Sequence, residues 1–200
     1  MKVFVAGLLT LVMVITGCAG PTQTVKRVAT DEISDLSGNW NDTDSRLVAE
    51  QMIKDLMYRP WISEYNMEYS EKPTLIVGSI RNMSSEHIQT GTFVKDIERE
   101  LINSGKVRFV ASSKERKEIR QERMEQQSYA SEETAKRLAA EYGADFILTG
   151  KITSSVDAIG GKSAKFYQVD MELINVENNE KVWIGSKEIK KFITKSRAKW

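Results

Sequence analysis

Four features of the chain carry residue types that could do chemistry: Gly160-Gly161-Lys162-Ser163, the lone histidine His87, the scattered carboxylates, and the lone cysteine Cys18. A phosphate-cradling loop needs a glycine five residues ahead of its Gly-Lys-Ser, so that backbone N–H groups can wrap the phosphates. That position is Val156. A strand starting near Lys165, rather than a helix, follows the motif, so the glycines read as a hairpin loop. One histidine cannot assemble a His/Cys metal site, which takes three or four ligands. A Ser-His-Asp triad through His87 lacks the G-x-S-x-G turn that exposes a serine nucleophile, and His87 reads as a solvated loop residue. The carboxylates pair with nearby Lys and Arg on helix surfaces and show no acid/base spacing. No catalytic residue, metal ligand or cofactor follows from this set, and an enzyme is not expected.

Cys18 is different, because of what precedes it. Lys2 opens the chain with a positive charge, and Val3 to Ile15 is apolar apart from Gly7 and Thr10. That run falls short of the ~20 apolar residues a spanning helix needs. A charged start, a short apolar core and small residues at the end mark a cleaved export signal. Ile15-Thr16-Gly17-Cys18 resembles the lipobox of bacterial lipoproteins. The resemblance implies cleavage before Cys18 and diacylation of its thiol, which also accounts for an odd cysteine in an exported chain. Acyl chains at ~0.8 kcal/mol per buried methylene hold a protein on a membrane without a spanning segment. Ala19, a non-aspartate after the cysteine, points to the outer membrane. In that bacterial setting the sequons Asn41-Asp42-Thr43 and Asn82-Met83-Ser84 are irrelevant.

Charge narrows the class further. The chain holds 29 Lys+Arg and 28 Asp+Glu; losing Lys2 with the signal leaves 28 of each. A neutral exported chain is not a general nucleic-acid binder, which would carry a strong basic excess.

The organisation reads as a signal over 1–17, a lipidated cysteine and flexible tether over 18–39, and one globular domain over 40–200. The tether is polar and aperiodic and cannot bury enough surface to order itself. Fully extended, twenty-odd residues reach roughly 70 Å. Asp42 or Asp44 caps a helix to about Met57 with Ala49, Met52, Ile53 and Leu56 as its inner stripe. Trp61 to Lys72 is irregular but aromatic at Trp61, Tyr65 and Tyr69. Pro73 to Ile80 is a buried strand, and Arg81 to Ile88 a polar loop. A helix from Thr90 or Thr92 buries Phe93, Val94, Ile97 and Leu101 and closes on Gly105. Lys106 to Ala111 is a second strand. Ser112 or Ser113 caps a heavily charged surface helix, and Ser131 caps another ending at Gly143. Asp145 to Thr153 is the third strand. Alternation from Tyr167 to Leu173, a turn at Glu177 to Glu180 and a return at Lys181 to Ile184 complete a meander. The class is α/β leaning to α+β, a small mixed sheet with helices packed on it.

The segments TLIVGSI with Arg81-Asn82, LINSGKVRFVASS, AKRLAAEYGADFILTG and YQVDMELINVENNEKVW, in this order, resemble the LpoB family, lipoprotein activators of bifunctional penicillin-binding proteins. The likeness covers more than half the chain. It implies a fold similar to the amino-terminal domain of TolB. It also implies a non-enzymatic role: docking on a small regulatory domain of a peptidoglycan synthase in the periplasm and raising glycan polymerisation and crosslinking. By family position the partner-binding residues would be Tyr129, Ser131, Glu132 and Glu133. Trp61, Tyr65 and Tyr69 form a second candidate surface, better suited to latching onto the domain, and the lysine-rich end (Lys187, Lys190, Lys191, Lys195, Arg197, Lys199) a third, read as a solvated tail. The family's long proline-rich linker is missing, since the tether holds only Pro21. An alternative is a structural lipoprotein related to the curli secretion lipoprotein, although the membrane-inserting amphipathic hairpin that reading requires is not found.

Overall fold

A computed structural model describes residues 24–29, 32–127 and 143–194. Every described element lies in the unit that begins at Ile33. Among the described residues no helix is long and apolar enough to cross a membrane.

Helix α1 (Asp42–Met57) starts one residue earlier than the acidic caps suggested. Asn41 is the cap: its side chain accepts from the Asp44 N–H at 3.0 Å, and the Asp44 carboxylate accepts from the Asn41 N–H at 3.0 Å. This reciprocal box needs an acceptor at the cap and an acid three residues on; Asn41 with Asp44 meets both, whereas Asp42 and Asp44 as caps would have Ser45 and Leu47 in that place. The expected stripe of Ala49, Met52, Ile53 and Leu56 is buried.

The aromatic stretch taken as irregular is helix α2 (Trp61–Tyr69). Pro60 stands at its cap with φ −61°, already helical, and Ser70 ends it in the left-handed region at φ 56°. A proline there loses no helix hydrogen bond. Tertiary contacts supply what periodicity did not. The Trp61 indole donates to the Leu56 carbonyl at 2.9 Å, and its ring meets Phe146 edge-on at 5.1 Å.

Helix α3 (Thr90–Ser104) closes on Gly105 at φ 63° and buries Phe93, Ile97 and Leu101 completely. Each such side chain contributes about 1.5–3 kcal/mol by leaving water. Helix α4 (Ser113–Gln127) begins with a second reciprocal cap. The Ser112 N–H donates to Glu115 Oε2 at 2.9 Å, and the Glu115 N–H to Ser112 Oγ at 3.4 Å. Its Ile119 and Met124 are exposed, as its charge implied. The helix expected from Ser131 lies outside the described residues.

The sheet has the order β2-β1-β3-β4-β5. Strand β1 (Thr74–Asn82) lies parallel to β2 (Arg108–Phe109) on one side and to β3 (Phe146–Ile159) on the other. Strands β4 (Lys162–Asn175) and β5 (Lys181–Thr194) add antiparallel. This is the mixed sheet with helices that the sequence implied. Its second strand is shorter than expected, and its last three are longer, at 14 residues each. Their ladder continues to Ile159 opposite Lys162, past the stretch that apolar alternation marks. Gly160 and Gly161, at φ 56° and 81°, make the two-residue turn. Positive φ at both central residues matches the twist of the flanking strands.

Leu75, Val77 and Ile80 of β1 all face the core with Phe93, Leu148, Ile152 and Met171. Their spacing breaks the two-residue period, and a bulge between Val77 and Ile80 absorbs the extra residue. Beyond it Ile80 lies opposite Gly150 on the inner face, and Arg81 opposite Lys151 on the outer face.

Gly150 sits under that bulge. A Cβ there would lie 2.7 Å from the Asp170 carbonyl oxygen and 2.9 Å from Met171 Cγ. Gly150→Ala therefore lowers stability by about 1–3 kcal/mol in a urea titration. Gly91→Ala in α3, where nothing lies within 4 Å, is neutral or gains up to about 1 kcal/mol.

Candidate functional site

The residues first considered for catalysis are placed plainly. Gly160 to Ser163 is the β3–β4 turn and the start of β4. His87 is exposed, and among the described residues its ring hydrogen-bonds Gln89 alone, at 3.3 Å. Among the described residues no group of three or more His, Cys, Asp or Glu is arranged to hold a metal ion.

The densest polar chemistry sits where the chain enters the domain. Lys165 of β4 and Lys191 of β5 lie directly opposite each other on the inner side of the sheet. Like charges opposed across two strands repel, and each lysine is met by carboxylates from elsewhere. Lys191 Nζ lies 2.6 Å from Asp44 of α1 and 2.6 Å from Asp35, and donates to the Asn39 carbonyl at 3.0 Å. Lys165 Nζ lies 2.6 Å from Glu86 and donates to the Asn39 side chain. The buried Tyr167 hydroxyl donates to the same Glu86 carboxylate at 2.7 Å, and the Trp40 N–H donates to it at 3.2 Å. Trp40 then packs edge-on against Phe93 and Tyr167 at 6.0 and 5.7 Å. Residues 35–44 and the loop after β1 are thereby fastened to the sheet.

The electrostatics follow from this packing. Burial pushes the Glu86 carboxyl up, and hydrogen bonds from Lys165, Tyr167 and Trp40 outweigh it, leaving it below the usual carboxylate value. The Lys191 hydrogen bond holds Asp35 low, more than its burial raises it. For Lys191 burial pulls down, but Asp35 and Asp44 prevail and its value is raised. Tyr167 is pushed up by burial and by the Glu86 carboxylate.

The aromatic candidates latch onto the domain. Trp61 is buried, and Tyr65 packs against Tyr69 with tilted rings at 4.5 Å and meets Phe146 edge-on at 5.6 Å. Burial and the nearby Asp145 carboxylate push the Tyr65 hydroxyl up, and Asp145 accepts from the Thr74 N–H at 2.7 Å.

On the outer side of the sheet, Ser79, Arg81, Thr149, Lys151, Asp170 and Glu172 surround a groove of about 360 Å³. Further along the same side of β5, Ile184 and Phe192 are 64% and 79% exposed, with Lys190 Nζ 5.4 Å from the Phe192 ring centre.

Cys18, Tyr129, Ser131, Glu132 and Glu133 lie outside the described residues, as do Lys195, Arg197 and Lys199. The other lysines of that group, Lys187, Lys190 and Lys191, belong to β5 rather than to a solvated tail, and Lys191 is buried. Sequence reading missed Asp44, Glu86, Lys165 and Lys191 as a unit, because they come from four separate segments. The only local signal is a lysine two residues before Tyr167, in phase with a buried face.

The sequence model of the family described as "Peptidoglycan-synthase activator LpoB" matches residues 44–189. Among curated proteins no sequence matches. Similar solved structures include the LpoB C-terminal domain from Escherichia coli, at 16% identity and TM-score 0.44 over 73% of this chain and 98% of that one. The Salmonella enterica domain is 20% identical, with TM-score 0.37 over 65% and 93%. An NMR structure of Escherichia coli LpoB is 15% identical, with TM-score 0.43 over 98% and 91%.

Lys191→Met leaves the buried Asp44 carboxylate without its cation and costs about 3–5 kcal/mol in chemical denaturation. Lys162→Met, at the exposed turn, changes stability by less than about 0.5 kcal/mol. Glu86 and Asp35 titrate low in the folded state, so their stabilisation is full above the unfolded carboxylate values and is lost as pH falls through the folded ones. Lys191 titrates high, so its share is full below 10.5 and is lost as pH rises through its raised value. The melting temperature is accordingly level from about pH 5 to about pH 10 and falls on either side. A Tm unchanged down to about pH 2 contradicts this account of the clasp.

Proposed function

The chain belongs to the LpoB family of peptidoglycan-synthase activators, and we propose that it is an outer-membrane lipoprotein that binds and activates a bifunctional penicillin-binding protein from the periplasmic side. The family match over residues 44–189 is the observation that carries this reading. In it, residues 1–17 are a signal peptide and Cys18 is the acylated first residue of the mature chain. Residues 18–39 tether a single domain over 40–200.

The activator does no bond chemistry of its own. It raises synthase activity by binding the active form of the enzyme's regulatory domain more tightly than the inactive form, since a ligand shifts an equilibrium only by its differential affinity. A coupling of about 1–3 kcal/mol corresponds to roughly 5–150-fold in the population ratio. Tyr129, Ser131, Glu132 and Glu133 are the proposed contact, with Tyr129 as its aromatic anchor. The clasp at residues 35–44 suits this role, because it fixes where the tether joins the domain and therefore which surface can turn away from the anchoring membrane.

Mass spectrometry of the protein recovered from cells shows a diacylated or triacylated Cys18 at the amino terminus; a retained Met1 refutes the anchor. In surface plasmon resonance the detergent-solubilised lipoprotein binds the regulatory domain of the synthase purified from the same envelope. Tyr129→Ala weakens that binding by about tenfold, equal to ~1.4 kcal/mol. Glycan polymerisation by the synthase rises when the lipoprotein is added. Ring-shaped oligomers that leave synthase binding and activity unchanged point instead to a structural component of an envelope assembly.

A further inference from the structure

We infer that the groove on the outer side of the sheet is an oxyanion site, in which Arg81 and Lys151 hold the carboxylate or phosphate of a small ligand. The β1 bulge builds it. Without the extra residue Arg81 would fall opposite Ile152, on the inner side; with it, Arg81 lies opposite Lys151 on the outer side. A bulge beside a site commonly re-aims a side chain in this way. Arg81 and Lys151 then stand side by side on parallel strands; Asp170, opposite Lys151 on β4, lies 3.9 Å from Lys151 and leaves the Arg81 guanidinium as the cation still open to an anion.

The nearby carboxylates are already engaged, none of them with Arg81 among the described residues. Asp170 Oδ1 accepts from Ser186 at 2.8 Å and from Gln168 at 2.8 Å, and its other oxygen is 3.9 Å from Lys151. Glu172 pairs with Lys181 at 2.9 Å. Arg81 has no hydrogen-bond or ion-pair partner among the described residues. Its planar fork suits bidentate carboxylate or phosphate oxygens, and the hydroxyls of Ser79 and Thr149 line the same groove. The volume of about 360 Å³ falls within the ~300–1,000 Å³ of small-molecule sites. Asp170 and Glu172 at the other wall disfavour highly charged anions and favour a ligand with a neutral or cationic neighbour to its oxyanion.

The test uses the full chain in detergent micelles, titrated with inorganic phosphate or with succinate at constant ionic strength and followed by amide NMR shifts. Saturable shifts at Ser79, Arg81, Thr149 and Lys151 are expected with one or both probes, and the probe that saturates names the oxyanion. Arg81→Gln and Lys151→Met each weaken binding at least tenfold, while Lys190→Gln on β5 leaves it unchanged. Shifts that never saturate, that spread over the surface lysines, or that persist equally in Arg81→Gln overturn the site. The readout needs no synthase, so it stands or falls separately from the activator reading.

Discussion

Two lysines facing each other across neighbouring strands, Lys165 and Lys191, impose the constraint on which this domain depends. Placed on the inner side of a sheet, they cannot stay there without anions. Asp35, Asp44 and Glu86 supply them from the segment before α1, from α1 itself and from the loop after β1. The lysines thus select which parts of the chain must converge. A purely apolar packing of the same site could be as stable. It would not require Asn39 and Trp40 to seat in one place. Asp44 also closes the cap of α1, so the first turn of that helix and the C-terminal part of β5 are held together.

A second constraint is the phase of β1. Three inward residues, Leu75, Val77 and Ile80, do not share one two-residue period. The bulge reconciles them and turns Arg81 outward in the same step. Gly150 is the partner of that adjustment, because Ile80, Met171 and the Asp170 carbonyl close over the space a side chain would need. One backbone irregularity therefore serves both the core and the outer groove.

For a protein of the LpoB family, these features divide the work. The clasp holds residues 35–44 and the loop after β1 against β4 and β5. The outer side of the sheet carries Arg81, whose guanidinium has no partner among the described residues.

Much of the fold was legible in the sequence. The stripe of α1, the face of α3 with its Gly105 cap, the exposed α4 and the Asn-rich turn before β5 are local patterns, and local patterns depend on neighbours within a turn or a strand. Helix α2 was missed because its order comes from Trp61 resting on Phe146, 85 positions further along the chain. The strands after β3 were underestimated because ladder hydrogen bonds extend them where apolar alternation stops. The expectation for Cys18 and its apolar leader rests on sequence alone, since an export signal is a linear motif. The buried place of Lys191 and the outward turn of Arg81 cannot. The sequence determined most of the helices and strands and which family they spell; tertiary structure alone decided the extent of the meander, the order of α2 and which charges meet, because register and long-range pairing bring together residues that no local period relates.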